Sequence, residues 1–273
     1  MGGRGGRSGS GANRRTATNS TLSQRVTNQA NNPVPNIQNQ VPTPQNTPVA
    51  SSADIYADLA AMTDAQLAQV YRDSQRTSLP NHLNDNPDVT QKFVYSIGLN
   101  ERPMVLDAAS FNQFMSDNNI PQSQLLARSV NGGVVTTTAG NRVGITAQDI
   151  LDQMKYSRLN YIGGKHGGQA YGAGTYFDMT GGRNTGYGQT TAVAVLNPAT
   201  ARVITDAQLS RMAHAFDQSH PQFARATGGY NTGYSGGRNN MSVYAVVMGY
   251  NVIKDAHGTY HNVIDRAALT YRQ

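Results

Sequence analysis

Residues 160–188 read NYIGGKHGGQAYGAGTYFDMTGGRNTGYG, ten glycines and five large rings (Tyr161, Tyr171, Tyr176, Phe177 and Tyr187) in 29 residues. Glycine admits positive φ and close backbone approach, and ordering it costs more chain entropy than ordering any other residue. Such density suits a loop whose backbone touches a ligand, or a floppy segment with no fixed conformation. The interleaved aromatics favour the ligand loop, because a floppy segment has no use for five rings. A ligand of that kind is flat, polar and held by backbone, as a nucleotide is.

Outward from this stretch, the composition sets the bounds. The chain of 273 residues has no cysteine, so neither a disulfide framework nor a Cys-ligated metal is possible. The formal charge is +6, of which +5 falls on residues 1–50: Arg4, Arg7, Arg14, Arg15 and Arg25, with no acid. The remainder is close to neutral, which argues against nucleic-acid binding as the main function of a folded domain. No run of 18 apolar residues and no apolar leader region occur, so the expectation is a soluble protein with neither membrane span nor signal peptide. Residues 1–50, a Gly/Arg start followed by a Thr/Asn/Gln/Pro tract, bury too little apolar surface to offset chain entropy and are expected to be disordered. Their arginines allow weak, non-specific contact with nucleic acid, although a solvated tether is the simpler reading.

From Ser51 onward the pattern is foldable. Thr63 and Gln66 form a capping box ahead of Leu67, Val70 and Tyr71, predicting a helix over 64–76. Pro87 opens a second predicted helix over 87–98, with Val89, Phe93, Val94 and Ile97 inward, and Asp107 caps a third carrying Phe111, Phe114 and Met115. Residues 51–120 thus read as a helical lobe. Then the texture changes. Residues 125–130 (LLARSV) read as a short strand, 146–154 as a capped helix, and 190–196 (TTAVAVL) and 201–204 as strands. Asp206 caps a further helix, a second Gly/Tyr loop covers 228–237, and 242–248 favours a strand on its β-branched content. Val252-Ile253 and residues 260–264 look like closing strands. The whole is an α+β pattern with no βαβ rhythm and no dinucleotide-type GxGxxG after a strand.

The segment Tyr171-Gly-Ala-Gly-Thr-Tyr-Phe177, with Tyr187 eleven residues after Tyr176, resembles the nicotinamide pocket of ADP-ribosyltransferases. In the poly(ADP-ribose) polymerase branch, a Gly-x-Gly-x-Tyr-Phe strand is followed at this spacing by a second tyrosine. Arg128-Ser129 is similar to the arginine-bearing first strand of the toxin-like branch. Residues 249–253 and 260–269 resemble the last strands of such domains in phage minor structural proteins, and the MGGRG start is similar to theirs. The resemblance covers residues 125–272; for the helical lobe and the tail only the phage likeness holds.

The resemblance implies a split core of two small sheets splayed around an NAD cleft. Cleaving the nicotinamide–ribose bond develops oxocarbenium character, so the site must grip the carboxamide, sandwich the ring and steady the emerging cation. By resemblance, Arg128 would contact phosphate or ribose with its planar fork, and the Ser129 backbone would hold the carboxamide. Tyr187 would stack on the ring, Tyr176 would line the pocket, Gly174 and Thr175 would let the strand approach, and Asn184 would complete the NAD contacts. One departure is plain. Most active members carry a late-strand glutamate, whereas the matching place here falls near His261 or Asn262, and the only glutamate is Glu101 in the helical lobe. Asp265 is the nearest acid and the expected catalytic partner of Arg128 and Tyr176; Asp178 is a second candidate. His166 is a further candidate base or phosphate contact. No metal site is expected from the six histidines.

The expectation is therefore a tail (1–50), a helical lobe (51–120) and an ADP-ribosyltransferase-like domain (121–273) that uses NAD as substrate. It would transfer ADP-ribose to a protein acceptor, as a phage-encoded protein acting on host proteins in the host cytoplasm. The alternative is a virion component, such as a minor head or internal protein, that keeps the fold as a scaffold among other phage virion proteins.

Overall fold

The computed structural model describes residues 51–77, 89–136, 142–156, 174–179, 190–233 and 239–273. The tail over 1–50, Pro87 and most of the glycine stretch over 160–188 lie outside them. The described chain is mixed α+β.

Three helices come first: α1 (Ser52–Ala60), α2 (Asp64–Gln75) and α3 (Val89–Ser96). The starts of α1 and α2 are written in side chains. Ser51 Oγ accepts from Asp54 N while the Asp54 carboxylate takes Ser51 N, and Thr63 N donates to Gln66 Oε1 at 2.7 Å. These reciprocal bonds satisfy donors that a helix start otherwise leaves open. A short strand, β1 (Met104–Leu106), precedes α4 (Ala108–Asp117), which Asp107 caps through Ser110 N at 2.8 Å. Strand β1 was not legible as such; it is only three residues long.

The next elements are β2 (Leu126–Val130), β3 (Gly133–Thr136), β4 (Arg142–Ile145), α5 (Ala147–Tyr156), β5 (Thr175–Asp178), β6 (Thr190–Leu196) and β7 (Val203–Thr205). After them come α6 (Asp206–Ser219), α7 (Pro221–Thr227), α8 (Met241–Val247), β8 (Val252–Lys254), β9 (Tyr260–Val263) and β10 (Leu269–Arg272). The strand expected over 242–248 is the helix α8. All seven of its residues are buried, so it shows no polar face and no 3.6 periodicity, and its β-branched content misleads.

Eight strands form one sheet in the order β1-β10-β6-β2-β5-β9-β8-β7, and β3 pairs with β4 in a separate hairpin. This differs from the expected pair of small splayed sheets, and the reason is local. Strand β2 pairs with β6 at five positions and β5 with β9 at four, but β2 meets β5 at one only, Ala127 opposite Asp178. The sheet is two halves held at a seam.

Helices cover both faces. On one, α1, α2 and α3 share a core with α6, α7 and α8, built on Phe93, Phe223, Tyr244 and Ile264. On the other, α5 packs Leu151 and Met154 against Leu126, Phe177, Val263 and Tyr271. The segment expected as a helical lobe is thus welded to the rest of the chain, sharing a core with the later helices and lending β1 to the sheet edge beside β10. Asp64 adds a long-range tie: its carboxylate, at the start of α2, accepts from Gln222 N (2.9 Å) and Phe223 N (2.8 Å) at the start of α7. An anion at a helix start meets both open donors and the positive end of the dipole.

A candidate functional site at the sheet seam

Strands β2, β5 and β9 are remote in sequence and consecutive in the sheet. Residues directly opposite in antiparallel strands share a face, and neighbours along a strand alternate. Tyr176 lies opposite Asn262, and Phe177 opposite His261. Phe177 belongs to the core under α5, whereas Asn262 Nδ2 reaches Ser242 Oγ of α8 at 3.3 Å. Arg128 lies opposite Ala192, a member of the α5-side core, so its stem leaves β2 on that side. Its guanidinium then turns to the seam, where Nη1 donates to the Tyr176 carbonyl at 2.9 Å. The gap left by the single β2–β5 pair is therefore bridged by a side chain.

The structure brings Arg128, Ser129, Gly174, Thr175 and Tyr176 onto two neighbouring strands at this seam. Ser129 Oγ lies 3.1 Å from Thr191 Oγ1 of β6. Gly174 has a definite neighbour: a Cβ there would sit 2.8 Å from Asn262 Cγ and 2.9 Å from the Val263 carbonyl oxygen. The close approach that requires glycine is thus made by the β9 strand and its carboxamide. Asn262 is fully buried. Asn184, Tyr187 and His166 lie outside the described residues, so their expected parts in the pocket rest on the sequence.

Asp265 is not brought to the seam. It is fully buried, caps the 3-10 turn Arg266–Ala268 through Ala267 N at 3.1 Å, and faces α1. Burial pushes its carboxyl up to about 6, helped by the nearby Glu101 charge and opposed by the Ala267 amide and Ser52. The physical reason for the displacement is alternation across a tight turn: Val263 packs under α5, Ile264 joins the α1 side, and Asp265 is drawn into the cap. Asp178 is the acid that closes the seam. It is 6% exposed and stands at the one β2–β5 pair, with Tyr260 of β9 opposite on its other side.

Sequence reasoning named Phe177 and His261 but not the row they form with Lys254, which crosses β5, β9 and β8 on the α5 side. His261 is 4% exposed, and burial, with the Lys254 ammonium across the strand pair, lowers it to about 4 against a weaker pull from Asp255. It is neutral at physiological pH. Nor were Arg266 and Tyr271 legible. Arg266 Nη1 donates to the Gln153 and Met154 carbonyls (2.8 and 3.1 Å) at the end of α5, and burial lowers it to about 10. Burial raises the Tyr271 phenol, opposed by the charges of Arg266 and Arg128.

Among the described residues, no set of three or more His, Cys, Asp or Glu groups converges to hold a metal, and no helix is long and apolar enough to cross a membrane. Compared with family models, with curated proteins and with solved structures, the chain matches none.

Proposed function

We propose that the chain binds NAD at the seam between β2 and β5 and transfers ADP-ribose to a protein acceptor. One observation carries this reading: the strands bearing Arg128, Tyr176 and the His261-Asn262 pair, which a resemblance alone singled out, are the adjacent strands β2, β5 and β9. In the proposed reaction the ribose C1′–nitrogen bond breaks, nicotinamide leaves with the electron pair, and a nucleophilic atom of the acceptor bonds to C1′. Arg128 supplies charge to phosphate or ribose beside the developing cation's partner groups. Asp178, in place of Asp265, is the acid at the seam, on the sheet face opposite the Arg128 stem, and in this reading it orients a hydroxyl or takes the acceptor's proton. Ser129, Thr175, Tyr176, Asn184 and Tyr187 keep the binding roles that the resemblance implies.

The test is calorimetric titration of the full chain with NAD, alongside mass spectrometry for released nicotinamide and for an acceptor gaining ADP-ribose. Saturable binding with release, reduced at least about tenfold by Arg128→Ala, supports the reading, since a lost charge-assisted fork is worth about 1.5–3 kcal/mol. No binding and no release defeats it. A second reading, a phage virion scaffold without transfer, is favoured by Asn262: where the family places its glutamate, this side chain is buried and engaged with Ser242. Binding without release, together with co-purification of the chain with assembled particles, would select that reading.

A further inference from the structure

The proposed transfer makes no use of the polar cluster where α1 meets the turn between β9 and β10. Three groups there are buried without a hydrogen-bond partner of good geometry: Ser52 Oγ, Tyr56 Oη and Asp265 Oδ2. Ser52 and Tyr56 come from the first and second turns of α1, and Asp265 from the sheet side. Around them stand four charged groups. Glu101, on the segment after α3, accepts from Ser52 N at 2.8 Å, and its charge is felt by Asp265. Arg202, just before β7, places its guanidinium carbon 5.0 Å from the centroid of the Tyr56 ring. Arg266 shares the turn but directs Nη1 to the α5 carbonyls, and Arg102 adds a positive charge near Arg266.

Two carboxylates therefore meet one helix start, and among the described residues no cation forms an ion pair within 4.0 Å of either, as Arg76 does with Asp73 on α2. A protonated Asp265 can donate its proton within the cluster and carries no charge against Glu101. An ionised Asp265 is a buried anion beside a second one, and the Arg266 charge and the Ser52 side chain offset that cost only in part.

We propose that the contact of α1 with the β9–β10 turn is a proton-dependent latch: α1 seats tightly when Asp265 is protonated and loosens when it ionises. The sign follows from linkage. A carboxyl raised from an ordinary 3.8 to about 6 by burial binds its proton more tightly in the seated state, so seating weakens as pH rises through that interval. If opening of α1 fully hydrates Asp265, the opening equilibrium changes by up to roughly 100-fold across that window.

The experiment is amide hydrogen exchange on the full chain at pH 4 and pH 7.5, with protection factors corrected for the intrinsic pH dependence of exchange. The expected result is a loss of protection of tenfold or more in residues 55–60 at the higher pH, with residues 55–60 opening more readily than β6 at both pH values. Asp265→Asn should abolish the pH difference while keeping the Ala267 cap, since the amide oxygen still accepts. Glu101→Gln, which keeps an acceptor for Ser52 N, should shrink the difference and is the second variant should Asp265→Asn fold poorly. Protection of α1 that does not change with pH in the natural chain, or a pH difference that persists undiminished in both variants, overturns the latch.

Discussion

Gly174→Ala isolates why the Gly-x-Tyr-Phe strand begins with a glycine. Gly174 is not among the glycines with positive φ, so backbone conformation is not the reason. The reason in the structure is space. A methyl group would enter the Asn262 carboxamide, 2.8 Å from Cγ, and would stand 2.9 Å from the Val263 carbonyl oxygen. The carboxamide can rotate only by leaving Ser242, and the carbonyl belongs to β9, four of whose residues are paired with β5, so neither neighbour gives cheaply. Overpacking of this kind costs about 1–3 kcal/mol, and contact with backbone puts it in the upper half. At about 2–4 °C per kcal/mol for a domain of this size, the melting temperature should fall by about 4–12 °C. The assay is thermal and urea denaturation of the natural chain, Gly174→Ala, Asn262→Ala and the double variant. Removing the carboxamide makes room for part of the methyl, so the double variant should be more stable than the summed single effects predict by about 1 kcal/mol. A Gly174→Ala protein that melts normally and yet binds NAD more weakly would refute the packing argument, and would return this glycine to close approach by a ligand. Additive single effects would show that Asn262 is not the obstacle.

Three other outcomes rest on the same geometry. Asp64→Ala should cost about 1–2 kcal/mol by urea denaturation, because it removes two charge-assisted bonds to the α7 amides Gln222 N and Phe223 N; Asp64→Asn should recover part of it. Tyr244→Phe should destabilise by about 1–2 kcal/mol, since the Tyr244 hydroxyl donates to the Asp217 carboxylate and lies 3.0 Å from Thr227 Oγ1; an unchanged midpoint would mean that water replaces it. Asp265→Asn should be neutral in stability at pH 4 and stabilising at pH 7.5, by at most about 3 kcal/mol. A fully buried carboxyl raised from 3.8 to about 6 lowers stability as pH climbs through that range, and the amide has nothing to ionise. Equal stability of the two proteins at both pH values would show that the carboxyl is not desolvated as described.

How much was legible in the sequence depended on where the information was stored. The helix starts were local: Thr63 with Gln66 announced α2 and Asp107 announced α4, and the structure forms both caps, the second through Ser110 N. The strands carrying Arg128 and the 260–263 segment were also legible by their own texture, whereas the strand carrying Tyr176 was indicated by the resemblance alone, inside a stretch that otherwise reads as a glycine-rich loop. Burial on all sides could not be read, and it makes α8 a helix despite its β-branched content; nor could the pairing that makes β1 a strand through its partner β10. Direction around a turn was equally hidden. Asp265 is three residues from Asn262, close enough in sequence to stand in for a missing glutamate, yet the chain passes it to α1 and the Ala267 cap.

The seam explains why one continuous sheet stands where two splayed sheets were expected. Between β2 and β5 the ladder contributes a single residue pair, so the halves are not held by strand hydrogen bonds in the ordinary way. In their place stands the Arg128–Tyr176 carbonyl bond, which a ligand bearing phosphate would compete for, because a guanidinium binds an anionic oxygen more strongly than a neutral carbonyl. Binding there would draw the guanidinium away from the Tyr176 carbonyl, with Ala127 still opposite Asp178. A site built on this seam thus couples ligand affinity to the spacing of the two half-sheets. Arg128→Lys separates the terms: an ammonium retains charge for phosphate but lacks the planar fork that spans the gap. It should preserve much of any NAD affinity while lowering the melting temperature. Loss of affinity with an unchanged melting temperature would mean that the fork serves the ligand alone, and that the two half-sheets need no bridge.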